Sequence, residues 1–282
     1  MSTRRPDPSH FPSYRKASTR QGPGFRDAAQ RTASAQAFRR GASTYHDVRP
    51  GYPDEVSALI ADAHTVADIG AGTGKLTESL PNARVLALEP SADMAGILAA
   101  HLRLPVLRAT AENTALADAS LDAACLAQTW HWVDVPAACA ELDRVLAPGG
   151  KILLVWNTLD VNADPWILRL SRIMHSGDVH KPGFYPDYTA PWSLDRELRL
   201  TWENELTPEQ LHRLMHTRSY WLRNGEDIHD RMTHNLDWYL YEHMGFKPGK
   251  NCVSRTARMP SCWYGIRIRA EPAPVASPPR RR

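Results

Sequence analysis

The sequence predicts a doubly wound α/β fold with a mostly parallel sheet. Strand-like and helix-like segments alternate over residues 65–156, which is the order of successive βαβ units. Several strand-like segments, such as Ala123–Ala127, are continuously apolar, as is typical of strands that a parallel sheet buries on both faces. The first apolar run breaks into glycines at every second position, Gly70, Gly72 and Gly74, which indicates a sharp turn pressed against a ligand.

Local signals define the elements in chain order. Asp54 and Glu55 precede an apolar-periodic stretch, where their charge suits the positive end of a helix dipole. Thr207, Pro208 and Gln210 combine a capping hydroxyl, proline at the first helical position and a capping-box amide. The predicted strands are 65–69, 84–88, 105–108, 121–127, 151–156 and 198–204; the predicted helices are 53–63, 73–80, 91–101, 136–146, 164–174, one from residue 207 and 226–244, which Gly245 closes, and 176–193 is predicted to be a loop.

Charge divides the chain into three parts. Residues 1–40 carry nine Lys or Arg against two Asp, and residues 254–282 carry seven Arg against one Glu, so the region between them is acidic within a total of +3. An acidic body with basic, Pro/Ser-rich ends argues against a specific nucleic-acid interface. We expect a folded domain over 41–253 between disordered segments at 1–40 and 254–282.

Membrane insertion, secretion and metal binding are not indicated. The chain has no run of about 18 apolar residues, and its first 40 residues contain no apolar stretch of the signal-peptide type, so we expect a cytoplasmic protein. The four cysteines are widely spaced, which fits reduced thiols and gives no zinc pattern. His212 and His216 stand four apart, but no third ligand accompanies them, so no metal site is predicted.

The glycine motif and Glu89 together indicate the chemistry. In an open parallel sheet, ligands bind beyond the carboxyl ends of the strands where strand order reverses. The G-x-G-x-G spacing differs from the G-x-G-x-x-G of dinucleotide folds. Glu89 ends the second predicted strand, where its carboxylate can accept hydrogen bonds from both ribose hydroxyls. This pattern favours S-adenosylmethionine-dependent methyl transfer over a nicotinamide-dependent oxidoreductase or a non-catalytic binding protein.

The chain resembles the class I S-adenosylmethionine-dependent methyltransferases over roughly residues 36–250. Within them it is similar to the bacterial branch of trans-aconitate methyltransferase and to the methyltransferase type 11 domain. The resemblance implies a Rossmann-like sheet of the seven-stranded type with a helical, aromatic lid formed by insertions at about 157–195 and 207–245. The segments that carry it are 45–53, 68–74, 88–91, 111–113, 128–132 and 141–150.

The resemblance also implies a set of cofactor-binding residues. Thr110 stands where many relatives have Asp, which leaves the adenine edge to Ala111 and Glu112. Gln128 is expected near the sulfonium. The remaining contacts are expected from Asp68, Gly70, Ala71, Gly72 and Gly74 on the methionine end and from Glu89 and Pro90 at the ribose.

A sulfonium is an excellent leaving group, so methyl transfer needs mainly in-line placement of a small-molecule acceptor at about 3 Å in a water-poor cleft. His131 could accept the acceptor's proton, or it could only line the site. Arg49 could pair with an acidic substrate or form a structural salt bridge. The resemblance and the chain order place the other candidate substrate residues around the mouth of the site: Tyr45, Tyr52, Trp130, Trp132 and Tyr220.

The C-terminal region departs from the family pattern. Residues 254–267 lack the sequence with which relatives form their last, antiparallel strand, and codons can be chosen for them that encode such a strand in another frame. A frameshift is one explanation of this departure; if it occurred, the chain loses its last strand, which exposes a sheet edge.

Overall fold

The structure is a computed structural model that describes residues 42–161, 163–176, 185–247 and 257–270, the last range as backbone. The outer segments 1–41 and 271–282, together with 254–256, lie outside the described residues, so the predicted disorder of these parts stays a prediction.

Seven described strands join in one sheet, in the order β3-β2-β1-β4-β5-β7-β6. The first five run parallel, and β7 is antiparallel to both β5 and β6. The order reverses between β1 and β4, so the carboxyl ends of these two strands flank the crevice in which such sheets bind ligands. The strands are β1 Thr65–Ile69, β2 Arg84–Leu88, β3 Val106–Leu107, β4 Leu121–Ala127, β5 Leu146–Leu159, β6 Trp192–Leu206 and β7 Ala257–Ala270.

Helices connect the strands and follow β5 and β6. They are α1 Ala42–Val48, α2 Asp54–Ser57, α3 Ala92–Leu102, α4 Val135–Val145, α5 Pro165–Ile173, α6 Pro208–His216, α7 Ser219–Arg223 and α8 Glu226–Asp237. The predicted capping box at Thr207 and Gln210 is present at the start of α6. Short 3-10 turns occupy Ala58–Ile60, Thr77–Ser79 and Trp130–Trp132, and a π-helical segment, Trp238–His243, continues α8.

Burial on both faces of the sheet is confirmed. Alternate residues of each central strand join different apolar clusters: Ala67 and Ala124 belong to one, and Val66 and Ala123 belong to the other. A separate buried cluster joins α5, α6 and α8. We call these three helices together with α7 the cover.

Several predicted elements differ from the structure. The helix predicted at 53–63 is a short helix, Asp54–Ser57, followed by a 3-10 turn, and the strand predicted at 151–156 is the longer β5. The expected helix at 73–80 is only the turn Thr77–Ser79, because Gly72 and Gly74 adopt positive φ and hold the chain outside the helical region. The predicted helix over 226–244 changes to π-helix after Asp237. The predicted strand at 198–204 is the longer β6, which takes up the end of the expected loop at 176–193.

The expectation of a lost last strand is wrong. Residues 257–270, which the sequence predicts to be disordered, form β7 between β5 and β6. A proline inside a strand removes a ladder donor, so it normally disfavours a central position. Pro260 stands opposite Glu203 of β6 at a point beyond the end of the β5 pairing, where no donor is needed on the β5 side.

Within the described ranges, every helix falls short of the length and apolarity that crossing a lipid bilayer requires.

Candidate functional site: the crevice at the ends of β1, β2 and β4

The turn after β1 is built from backbone hydrogen bonds and positive φ angles. The N–H groups of Gly70 and Ala71 both donate to the Leu88 carbonyl of β2, at 2.8 and 3.0 Å. Gly70, Gly72 and Gly74 have φ of 71°, 59° and 92°, a region that only glycine enters at low cost. The loop is therefore fixed against the end of β2.

Gly70 is also required by space. A Cβ at this position would lie 2.5 Å from Cγ2 and 2.6 Å from Oγ1 of Thr129. The Thr129 hydroxyl donates to the carbonyls of Gly70 and Ala127, with O···O distances of 3.2 and 2.9 Å. Thr129 thereby binds the end of β4 to the glycine loop.

Glu89 is the carboxylate that faces this loop. One of its oxygens accepts from the Gly72 N–H at 2.8 Å, and the other accepts from the Ser91 N–H at 2.7 Å. Burial raises the pKa of Glu89, while these two hydrogen bonds and the Arg108 charge oppose the rise. The two bonds fix the orientation of the carboxylate, and each oxygen keeps a second lone pair for a ligand hydroxyl.

Asp68 lies fully buried in β1, just before the loop. Its Oδ2 accepts from the Thr77 hydroxyl at 2.6 Å, whereas Oδ1 has no hydrogen-bond partner among the described residues. The pKa of Asp68 is raised to about 7, chiefly by burial and further by the charge of Glu89, against the lowering effect of the Thr77 bonds. The carboxyl group therefore changes protonation state near neutral pH.

Gln128 begins the segment that leaves β4. It adopts a positive φ of 54°, its N–H donates to the Val155 carbonyl at 2.8 Å, and its side-chain amide donates to the Asn157 carbonyl at 2.7 Å. These bonds join the exits of β4 and β5 beside the glycine loop.

The turn Trp130–Trp132 follows at once. Trp130 is buried, and its indole N–H donates to the Asp187 carbonyl at 2.8 Å, so it supports the loop that leads to β6. The rings of His131 and Trp132 lie 4.6 Å apart, centroid to centroid.

The predicted adenine residues lie near the start of α4. Glu112 accepts from the N–H of Asp134, the residue that caps α4, at 2.8 Å, and Ala111 is buried. The Pro90 carbonyl accepts from the Arg108 guanidinium at 2.7 Å. Glu112 is thus already bound to backbone, and Arg108 connects the Glu89–Pro90 corner to the end of β3.

The predicted residues at the N-terminus and on the cover contact other partners. Arg49 lies over the Tyr45 ring at 4.9 Å and donates to Thr217 after α6, so neither an acidic substrate nor a salt bridge is needed to hold it. Tyr220 stacks on His175 with 3.9 Å between ring centroids. Tyr52 packs against an apolar cluster of the sheet.

Hydrogen bonds therefore connect the predicted cofactor residues at the ends of β1, β2 and β4. The predicted substrate residues in and next to α1 and α7 contact the cover instead. Sequence reasoning missed Thr77 and Thr129. Neither shows a periodic or motif signal of its own, although Thr129 stands next to Gln128 and could have been inferred from the need to fix the loop. In the described ranges, no three His, Cys, Asp or Glu residues are grouped so as to hold a metal ion.

Comparison with known proteins decides the family. Residues 67–154 match a family model described as a methyltransferase domain. Uncharacterized methyltransferases of Mycobacterium tuberculosis and Mycobacterium bovis are each 37% identical over 214 residues, 73% of this chain and 86% of the relative. The chain belongs to the class I S-adenosylmethionine-dependent methyltransferases. Its enzyme class is therefore that of a methyltransferase, and S-adenosylmethionine is its cofactor. The specific similarity to trans-aconitate methyltransferase stays a prediction.

Two further likenesses are weaker. An uncharacterized methyltransferase-like protein of Schizosaccharomyces pombe is 29% identical over 220 residues, 72% of this chain and 85% of the relative. A solved structure provisionally assigned as a type II methyltransferase, from Anaeromyxobacter dehalogenans, superposes with a TM-score of 0.56 at 24% identity, and the match covers 79% of this chain and 97% of that one. The second likeness shows the fold.

The residues of this methyltransferase fit the cofactor on two independent points. A Cβ at Gly72 would meet only the Met94 sulfur, at 3.8 Å, so the loop leaves space that the protein itself does not fill. The unpartnered Oδ1 of Asp68 leaves a buried acceptor at the end of β1, and a buried polar atom without a partner calls for one. The loop thus offers a backbone that a ligand can approach, with an acceptor at Asp68 on one side and at Glu89 on the other. This arrangement matches a ligand that has an amino-acid part and a ribose.

Proposed function

We propose that this methyltransferase transfers the methyl group of S-adenosylmethionine to a small-molecule acceptor by direct in-line displacement. The observation that carries the proposal is the Glu89 carboxylate, held on one side by the Gly72 N–H and on the other by the Ser91 N–H. A carboxylate fixed in this way needs no reorganisation to accept two neighbouring ribose hydroxyls.

Each part of the cofactor has its proposed residues. Asp68 faces the methionine end across the turn made by Gly70, Ala71, Gly72 and Gly74, and its raised pKa allows it to serve as acceptor or donor there. Glu89 and Pro90 form the ribose corner, Ala111 and Glu112 the adenine edge. Gln128 is proposed beside the sulfonium, where its two backbone-directed hydrogen bonds keep it rigid.

The bound cofactor supplies an electrophilic methyl group on a sulfonium that leaves readily. The protein's part is then to position an acceptor, exclude water and, for a hydroxyl or amine acceptor, take up a proton. We propose that Trp130 and Trp132 shape the mouth of the site. We also propose that the imidazole of His131, whose Nδ1 is buried, is the proton acceptor.

The cover is proposed to complete the acceptor side. The insertions at about 157–195 and 207–245 contribute α5, α6, α7 and α8, which share a buried cluster of their own. Tyr220 packs against this cluster, and Arg49 joins the layer to Tyr45 of α1. Tyr52 is proposed to face the acceptor from the sheet side, where it packs. We propose a domain that begins near residue 41 and, because β7 belongs to its sheet, extends beyond residue 253 to residue 270. We also propose a cytoplasmic location for the reaction; the buried Cys125 and Cys139 are free thiols, which suits a reducing compartment.

Glu89→Ala tests the proposal. Loss of the ribose hydrogen bonds is expected to weaken S-adenosylmethionine binding by about 1–3 kcal/mol, measured by titration calorimetry. Glu89→Gln should lose less, because the amide keeps one acceptor oxygen. Glu242→Ala, which removes an exposed carboxylate of the π-helical segment, is the matched control and should bind as the wild type does.

The competing functions give different titrations. A nicotinamide-dependent enzyme would bind NADH in preference to S-adenosylmethionine, and a non-catalytic binding protein would bind the cofactor without transferring its methyl group to any of a panel of small acceptors. Unchanged cofactor affinity in Glu89→Ala would count directly against the assigned role of the carboxylate.

A further inference from the structure

Helix α1 lies between the two parts of the fold. It contacts α3, which follows the Glu89 corner, and it also contacts α6 of the cover. The chain that leaves α1 passes close to the end of the glycine loop, since a Cβ on Gly51 would lie 3.8 Å from the Glu78 carboxylate. The helix thus bridges the sheet and the cover beside the cofactor crevice. We call it the strap.

The strap is fastened to the cover by two polar contacts. The Arg49 guanidinium donates from Nε to the Thr217 hydroxyl at 3.0 Å and from Nη2 to the Thr217 carbonyl at 3.2 Å. Asp47 and Arg213 form an ion pair between exposed side chains, which is worth little because water screens it. Arg49 is therefore the stronger attachment on this side.

Histidine rings fasten the strap to the sheet. The His46 and His101 rings meet edge to face, with centroids 4.6 Å apart and planes at 63°. His101 Nε2 lies 3.1 Å from one oxygen of Glu78, and Lys75 Nζ lies 3.7 Å from the other. Lys75 directly follows Gly74, so this chain of contacts runs from the strap to the glycine loop.

Burial and nearby basic groups oppose the protonation of His46. Lys75 at the glycine loop and His101 on α3 disfavour a positive charge on His46, while Glu78 and the neighbouring Asp47 favour one. The pKa of His46 is lowered chiefly by burial and then by Lys75 and His101, against the raising effect of Glu78 and Asp47. Its buried Nδ1 has no hydrogen-bond partner among the described residues, so a proton there would gain no acceptor.

The sign of the pH effect follows from this lowering. An imidazole with an ordinary pKa of about 6.5 in the free strap binds a proton more readily than the same ring in the docked strap. This group therefore leaves docking unchanged above about pH 6.5 and weakens it as the pH falls further, by at most tenfold per pH unit.

We infer that α1 closes over the cofactor crevice and that the contact of the His46 ring with the His101 ring, which Glu78 holds from its other side, is a latch that opens on acidification. The inference rests on the proposed cofactor site. A strap that opens lets water and solvent ions reach the crevice, and cofactor bound beneath it dissociates faster.

Calorimetric titration with S-adenosylhomocysteine between about pH 8 and about pH 5.5 tests the latch. The ligand affinity of the wild type should fall by about three- to tenfold more over this range than that of His46→Gln. His234→Gln, which removes an exposed histidine of α8, is the matched control and should keep the wild-type slope. The carboxyl groups of Asp68 and Glu89 are present in every variant, so the difference between slopes isolates the latch.

His101→Gln is the second variant, because its amide can still bond to Glu78 without titrating. Melting temperatures at about pH 8 show that each variant is folded. A wild-type pH slope in His46→Gln would overturn the latch, and a wild-type slope in His101→Gln alone would show that His101 is not part of it. Failure of the wild type itself to bind S-adenosylhomocysteine at the upper pH would instead refute the proposed function. Arg49→Lys should speed cofactor dissociation at every pH without changing the slope, and an unchanged rate would show that α1 does not close the crevice.

Discussion

Replacement of Gly70 by Ala tests the construction of the glycine loop most sharply. The residue has a φ of 71°, which costs a residue with a Cβ roughly 1–2 kcal/mol. The new methyl group would also overlap Thr129, since its carbon would lie 2.5 Å from Cγ2. Thr129 is held by two carbonyls and has little freedom to retreat, so overpacking adds about 1–3 kcal/mol. The expected loss in the free energy of unfolding is about 2–5 kcal/mol.

Two other glycines separate the two contributions. Gly72→Ala introduces the same kind of φ strain, at 59°, without a close neighbour, because the nearest atom is the Met94 sulfur at 3.8 Å; it should cost only the conformational part, roughly 1–2 kcal/mol. Gly225→Ala meets no atom within 4 Å at a negative φ, so it carries neither contribution; because Gly225 is the N-cap of α8, it should cost only the roughly 0.5–1 kcal/mol by which alanine is the poorer cap.

Urea denaturation of the cofactor-free protein, followed by circular dichroism, gives the three free energies. Thr129→Ser in the Gly70→Ala background removes the methyl group that is overlapped and keeps the hydroxyl, so it should recover part of the loss. Equal destabilisation by Gly70→Ala and Gly72→Ala, with no recovery on Thr129→Ser, would refute the packing argument.

Two further predictions concern Asp68 and β7. Because the pKa of Asp68 is raised to about 7, protonation of this carboxyl favours the folded state, and the stability that it contributes is lost as the pH rises from about 4 to about 7. Measured against the wild type, the free energy of unfolding of Asp68→Asn should therefore increase through this window. Parallel pH profiles of the two proteins would contradict the assignment. Ending the chain after residue 256 removes the strand that pairs with both β5 and β6. This truncation should remove most of the roughly 5–15 kcal/mol that stabilises a domain, so the cooperative melting transition should be lost. A chain that ends after residue 270 is the control, and equal melting temperatures of the two chains would show that β7 does not support the sheet.

The fold could be predicted from the sequence wherever local pattern and burial agree. The apolar run of β4 and the capping signals of Thr207 and Gln210 are decided by neighbouring residues, so the sheet core and the start of α6 were predicted correctly. The prediction of a helix at 73–80 was wrong because Gly72 and Gly74 adopt positive φ. The loop contacts determine these φ angles, and the apolar spacing of the segment does not reveal them.

The candidate site was partly readable for the same reason. Glycine spacing and Glu89 mark a crevice in the sequence, but Thr77 and Thr129 act through distant partners and leave no local trace. Arg49 has the charge of a substrate ligand, yet its guanidinium binds Thr217, 168 positions away. The disorder expected of 257–270 was wrong because the composition of a strand says little when two long neighbours, β5 and β6, supply the ladder.

The placement of β7 also bears on how the protein is made. β6 has β7 as its partner in the sheet, and β7 follows every other described strand in the chain. A nascent polypeptide therefore carries unpaired strand edges on both β5 and β6 from the time these strands leave the ribosome until β7 emerges. Pairings between distant segments form slowly, and open edges invite association with other chains. Chaperone dependence during synthesis should consequently be greatest while the region between β6 and β7 is being translated.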